Sequence, residues 1–375
     1  MGKARESRAV VALLGSFAAW QAWDVSRFIA HETRPPAWDQ ANHLTVALRY
    51  LDAAAAGRWG DIWTYTPNAA IPPFPPVYHL LLAPWSMASS PAWSALWVNA
   101  GYLALLVAVI WGLARELRRD GPAAAAAVAF ACAPVVQHLA REQLVDLPLT
   151  AVAAAAYWAL ARADGFRRLD GSLWFGAAFG LGMLHKWSFF SYVLPAFVLG
   201  LAALRRPADR RKALAAGALG LGLCLPWYLI RAPLVFIRLT QATNDFVVPF
   251  WKGGAFFSYL GGMPAELGWP FCALAAWSLW ALRRDSRRSV RAVALCAAAA
   301  YVFWALLPNR QMRYLLPGLA GLPALIAAAA PGRSSGRWPR GRPPPPRSTP
   351  RRARPPRTGS STRRSGPSRP RARRD

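Results

Sequence analysis

Stretches free of Asp, Glu, Lys and Arg recur along the chain, separated by short charged interruptions. Ten of them mark candidate helices: 9–23, 77–114, 122–140, 147–161, 171–185, 187–204, 213–230, 267–282, 292–310 less its polar end, and 314–332. Several are shorter than the roughly 20 residues that a perpendicular membrane helix needs. The stretch 77–114 is too long for one helix and is broken by Pro84 and Pro91, so it reads as a surface helix over 77–90 followed by a span from Pro91. Lys3, Arg5 and Arg8 ahead of the first stretch read as an uncleaved signal-anchor. The pattern predicts an all-α polytopic membrane protein of about ten transmembrane helices.

Composition sharpens this. Hydrophobic residues make up 55% of the 375, yet the net charge is +28. From Arg333 onward 43 residues hold 15 Arg and ten Pro, a composition that builds no core. The chain therefore divides into a membrane domain, 1–332, and an expected disordered tail, 333–375. The tail is also what an out-of-frame reading of a GC-rich gene produces, and a frameshifted or truncated C-terminus is the expectation there. Four cysteines, Cys132, Cys224, Cys272 and Cys296, sit in apolar runs without metal-ligand spacing and read as small core residues.

With the N-terminus cytoplasmic and the spans alternating, the inner segments hold 19 Lys and Arg in 43 residues and the outer segments 11 in 104. This asymmetry is what the positive-inside rule requires. The same layout puts nearly every chemically interesting polar residue on one face. The long outer segments are 24–76 and 231–266, and short outer turns carry 141–146, His185 with Lys186, and 308–314. A concave site at the outer membrane boundary is expected, with short interfacial helices in the first outer loop.

Within these segments Asp39 suits the cap of a helix running to Ala56, which would put Gln40 and His43 on one side. Asp146, just before Leu147 and Pro148, suits the start of another helix. Capping explains each acid separately. Two ionisable groups at the outer ends of different helices also suit one shared cleft. His31 and His138 lack metal-ligand spacing.

Several elements taken in order resemble a known superfamily. They are Trp38-Asp39-Gln40-Ala41-Asn42-His43, Pro75-Pro76-Val77-Tyr78, Asp146-Leu147-Pro148-Leu149-Thr150, Leu184-His185-Lys186-Trp187, Pro226-Trp227-Tyr228 and Arg313-Tyr314-Leu315-Leu316-Pro317. Over about 300 residues their order and spacing are similar to the polyprenyl-phosphate-sugar glycosyltransferases of the GT-C superfamily. The nearest branch resembles the protein O-mannosyltransferases, the lipid A aminoarabinose transferases and the rhizobial lipopolysaccharide sugar transferases.

The resemblance implies inverting transfer of a sugar from a polyprenyl-phosphate donor to a lipid, glycan or protein acceptor, on the outer face of a bacterial inner membrane. Asp39 matches the expected general base and Asp146 the second acid, which positions the acceptor or, in some branches, a divalent cation. Gln40 stands where relatives often carry Glu, which weakens a metal reading at that loop, and no metal ligand is assigned. Cations must answer the charge growing on the phosphate leaving group, and Arg310, Arg313, Lys186 and His185 are the candidates. Gln40, His43, Tyr78, His79 and Tyr314 are expected to line the cleft. Phe74 occupies the place where many relatives have Lys or His, so His79 and Arg34 are candidates for the missing phosphate contact.

Two rival readings share some features. A transporter or lipid-linked-sugar flippase would have the same span count, but with internal repeats and acids at mid-membrane. A polybasic tail attracts acidic headgroups; no nucleic-acid partner is expected.

Overall fold

A computed structural model describes residues 2–65, 73–87, 91–117, 121–242, 249 and 251–330; the tail, 333–375, lies outside the described residues. Helix α1 (Gly2–His31) leads into α2 (Trp38–Ala55), α3 (Trp59–Thr64) and α4 (Val77–Leu82), the last continued by a 3-10 turn, Ala83–Met87. Then come α5 (Pro91–Ser94), α6 (Leu96–Leu117), α7 (Gly121–Ala131), α8 (Pro134–Ala140), α9 (Asp146–Ala163) and α10 (Leu169–Met183). A 3-10 stretch, Trp187–Val193, runs into α11 (Leu194–Leu204). The rest is α12 (Pro207–Ala242), α13 (Ser258–Leu267), α14 (Trp269–Leu282), α15 (Arg288–Leu306), α16 (Met312–Leu319) and α17 (Leu322–Ala329). No strand occurs among the described residues.

Each of the ten apolar stretches is largely helical, but they are not ten uniform spans. Leu96–Leu117, Trp187–Leu204, Pro207–Ile237 and Arg288–Leu306 are each long and apolar enough to cross a membrane. The pairs α7 with α8 and α16 with α17 qualify only when joined across bends of 63° and 43°. Prolines supply the breaks: Pro134 opens α8 and Pro323 lies in the first turn of α17, where a missing N–H costs nothing.

Helix α9 is the hub. Almost every residue from Asp146 to Ala163 is buried, because its Ala-rich surface lets α6, α10 and α16 approach from several sides. Helices α10 and α12 pack through glycines: a Cβ at Gly176 would lie 2.3 Å from the Ala216 carbonyl oxygen, and one at Gly180 would lie 2.7 Å from that of Gly220. Cys224 and Cys296 are buried as expected, whereas Cys132 is exposed at the α7–α8 bend and Cys272 is half-buried.

This connectivity gives the bundle two ends. The start of α9, the end of α10 and the start of α16 share one end with α2, α3 and α4. There Arg231, carried by α12, donates to the carbonyls of Thr64 and Tyr65. The Tyr157 hydroxyl donates to the Tyr192 carbonyl at 3.1 Å, and the Tyr192 hydroxyl to the Tyr314 carbonyl at 2.7 Å. These buried bonds fix the start of α16 against α9 and the 187–193 stretch.

Candidate active site

The centre of the site is built on Asp146, the first residue of α9, where the helix dipole favours a carboxylate. Its side chain is 3% exposed. Lys186, just past the end of α10, donates to Oδ1 at 2.7 Å, and Arg313 Nη1 stands 3.9 Å from Oδ2. A buried carboxylate is tolerable only with such partners. The second Arg313 nitrogen, Nη2, donates to Asp39 Oδ2 at 3.1 Å, so one guanidinium links both acids. Tyr314 lies beneath the cations: its ring centroid is 4.8 Å from Lys186 Nζ and 5.0 Å from the Arg313 guanidinium carbon.

Asp39 differs from Asp146 in exposure, at 53% for the side chain. It is not the cap of α2. The helix starts one residue earlier, with Ala37 in the capping position. Trp38 has φ +50° and is 91% exposed, a strained conformation for an aromatic residue. Asp39 thus lies inside the first turn, with its carboxylate turned to Arg313 rather than to the helix's own N–H groups. Asp146 likewise makes no side-chain cap; Val145 holds that position.

One turn further into α2, His43 is buried and its Nδ1 lies 2.8 Å from His79 Nε2. His79 Nδ1 is 3.2 Å from the Pro75 carbonyl. The Phe74 ring covers both imidazoles, at 4.5 Å from His43 and 5.4 Å from His79. Burial, before any neighbouring charge, holds His43 well below the usual histidine range and pushes His79 down to about 3. Both are neutral at physiological pH, so His79 supplies no cation in place of the one that Phe74 lacks. Arg34 does not supply it either: its exposed guanidinium pairs with Glu32 at 2.6 Å.

The other candidates fall in different places. Gln40 Oε1 accepts the Gln143 backbone N–H at 3.2 Å, tying the start of α2 to the turn before Asp146. The Tyr78 hydroxyl donates to Asn99 Oδ1 at 3.3 Å, inside the core. Both nitrogens of His185 are committed internally, Nδ1 to the Leu181 carbonyl at 2.7 Å and Nε2 to the Tyr102 hydroxyl at 2.5 Å. Arg310 lies outside the cluster. Its Nε donates to the Ala305 carbonyl at 3.1 Å, and it lines a cavity of about 500 Å³ with Lys252, Ser258 and Pro308.

Sequence reading passes over Asn99 and Asp24. Asn99 Nδ2 donates to the Glu142 carbonyl at 2.6 Å and shapes the turn that delivers Asp146, and Asp24 holds Arg141 at 2.7 Å. The available signal was an amide and an acid at or within otherwise apolar stretches. Among the described residues no three His, Cys, Asp or Glu side chains converge as metal ligands. A divalent ion at the two aspartates would have to displace Lys186 and Arg313.

Residues 74–230 match the family model described as dolichyl-phosphate-mannose-protein mannosyltransferase. No curated protein sequence matches the chain. Among solved structures it is similar to ArnT from Cupriavidus metallidurans in the apo state, with 20% identity over 86% of this chain and a TM-score of 0.63. It is also similar to the same protein bound to undecaprenyl phosphate, with 18% identity over 85% of this chain and a TM-score of 0.67. The chain spans 60% of the length of those structures. The all-helical membrane architecture of the chain is the fold of those structures, and residues 74–230 carry the match to the mannosyltransferase family model.

Proposed function

We propose that the chain is a membrane glycosyltransferase that moves a sugar from a polyprenyl-phosphate donor to a nucleophile on a lipid, glycan or protein, with inversion, at the outer face of a bacterial inner membrane. The observation that carries this reading is the inequality of the two acids. Asp146 is buried and faces two cations, whereas Asp39 is half exposed and touches one guanidinium nitrogen. A general base needs a lone pair within reach of the incoming proton, and Asp39 retains one. Lys186 and Arg313 gather positive charge for a phosphate, and the Arg313 Nε–H, buried and without a partner, is a donor left over from the two acids. The ArnT structure with undecaprenyl phosphate supports a polyprenyl-phosphate ligand in this fold.

In the step itself, the acceptor oxygen attacks the anomeric carbon as its proton passes to Asp39. The bond from that carbon to the phosphate oxygen breaks, and its electron pair leaves with the phosphate, opposite Lys186 and Arg313. One displacement inverts the anomeric centre. The Asp146 carboxylate holds both cations in place.

The test is a labelled polyprenyl-phosphate-sugar panel supplied to membranes containing the full chain. Asp39→Asn is expected to lower transfer by about 10²-fold to 10⁴-fold, with expression and membrane insertion unchanged. Full activity in that variant would overturn the assignment. Movement of the lipid-linked sugar across the membrane with no new glycosidic bond would establish the flippase reading instead.

A further inference from the structure

The buried pair of histidines has a fixed hydrogen-bond direction. The Pro75 carbonyl only accepts, so His79 Nδ1 carries a proton and, the ring being neutral, His79 Nε2 is the acceptor. His43 Nδ1 must then donate to it across 2.8 Å. That leaves a lone pair on His43 Nε2, since the ring's hydrogen bond to a described residue runs through Nδ1. Phe74, Tyr78 and His79 pack around the imidazole.

Position says what the lone pair meets. His43 is four residues after Asp39, hence on the same face of α2 and one turn inward, with 4% exposure. The charges of Lys186 and Arg313 both act on it. A sugar bridging a phosphate on those cations and an acceptor at Asp39 lies alongside this turn of α2. We propose that His43 Nε2 accepts a hydrogen bond from a hydroxyl or amino group on the transferred sugar, and that His79 and Pro75 serve to hold the ring in the tautomer that does so. His43 is thus a sugar-recognition residue and not the base. This inference rests on the glycosyltransferase reading.

A site built to accept one hydroxyl rejects the analogue lacking it, because its buried acceptor is then unpaired. Undecaprenyl-phosphate hexoses and pentoses first identify a donor that the wild type uses, and each monodeoxy form of that sugar is then assayed with the full chain in membranes. The wild type is expected to discriminate against one deoxy form by about tenfold or more in kcat/KM. His43→Asn keeps a donor at the Nδ1 position, facing His79, and removes the acceptor at Nε2; it should use that deoxy form and the parent sugar about equally. His43→Gln, which restores an acceptor near the Nε2 position, should regain part of the discrimination. Thermal unfolding of both variants in detergent checks that they are folded.

A uniform fall in kcat across all donors in His43→Asn, or discrimination that survives it, overturns the proposal while leaving the transferase reading intact. ¹⁵N-histidine spectra showing His43 protonated at Nε2 also overturn it. Absence of transfer from every donor by the wild type removes the transferase reading and this inference together.

Discussion

The two ends of the bundle both carry ion pairs, and they are built differently. Away from the site, Arg168 with Asp170, Arg206 with Asp209 and Arg287 with Asp285 join residues two or three positions apart. Arg162 reaches Asp170 and Glu116 across helices, but all three side chains are 30% exposed or more. At the site, Lys186 meets Asp146 across 40 positions and Arg313 meets Asp39 across 274. Local pairs need only their own helix ends, and the exposed one, Arg168 with Asp170, gains little, since water competes for both partners. The site pairs require α2, α9, α10 and α16 to dock first. Once docked, the low polarity around Asp146 makes each charge depend on the others.

That contrast sets the size of what mutation should do. Asp146→Ala is expected to cost about 3–5 kcal/mol of stability, because it strands Lys186 and Arg313. Denaturant unfolding of the full chain in detergent measures it; a loss below 1 kcal/mol would mean that the site pairs are as loose as those at the other end. Arg313→Ala should weaken donor affinity by about 10-fold to 100-fold, the worth of a charge-assisted contact. Binding of a polyprenyl phosphate to the purified chain reads this directly, and unchanged affinity would move the phosphate elsewhere, with the Arg310 cavity next in line.

Acidification gives a graded effect at the site end. His79 is held at about 3 in the folded protein against an ordinary 6.5, and His43 is also lowered, so the unfolded chain binds more protons between those values. Stability from these residues is intact above about pH 6.5 and falls as pH drops towards 3. A His79→Phe variant should flatten the pH dependence of Tm below pH 6.5; an unaltered slope would show that the pair does not carry it. The smallest effect is expected from Asp170→Asn, about 0–1 kcal/mol with sugar transfer unchanged. A larger cost would erase the distinction between the two ends.

Much of this was legible beforehand. The apolar stretches located the helices, and the polar residues between them nominated Asp39, Asp146, Lys186, Arg313 and Tyr314, which the structure brings together. Arg310 was nominated on equal terms with Arg313. Because α16 begins at Met312, Arg313 lies on the helix and faces the acids while Arg310 lies before it and turns to Ala305. Asp39 read as a helix cap because the residue type favours that position. The backbone enters α2 through a left-handed Trp38 instead, which frees the carboxylate.

The sequence by itself determined that the chain is a helical membrane protein whose polar chemistry gathers at one set of helix ends, since hydropathy and charge are properties of short segments that lipid and water read directly. The tertiary structure alone decided which acid is buried between cations and which remains available, and which histidine nitrogen keeps a lone pair. Those distinctions arise from contacts between residues 36 to 274 positions apart. No local pattern specifies such contacts, because burial and partner geometry exist only after the helices have packed.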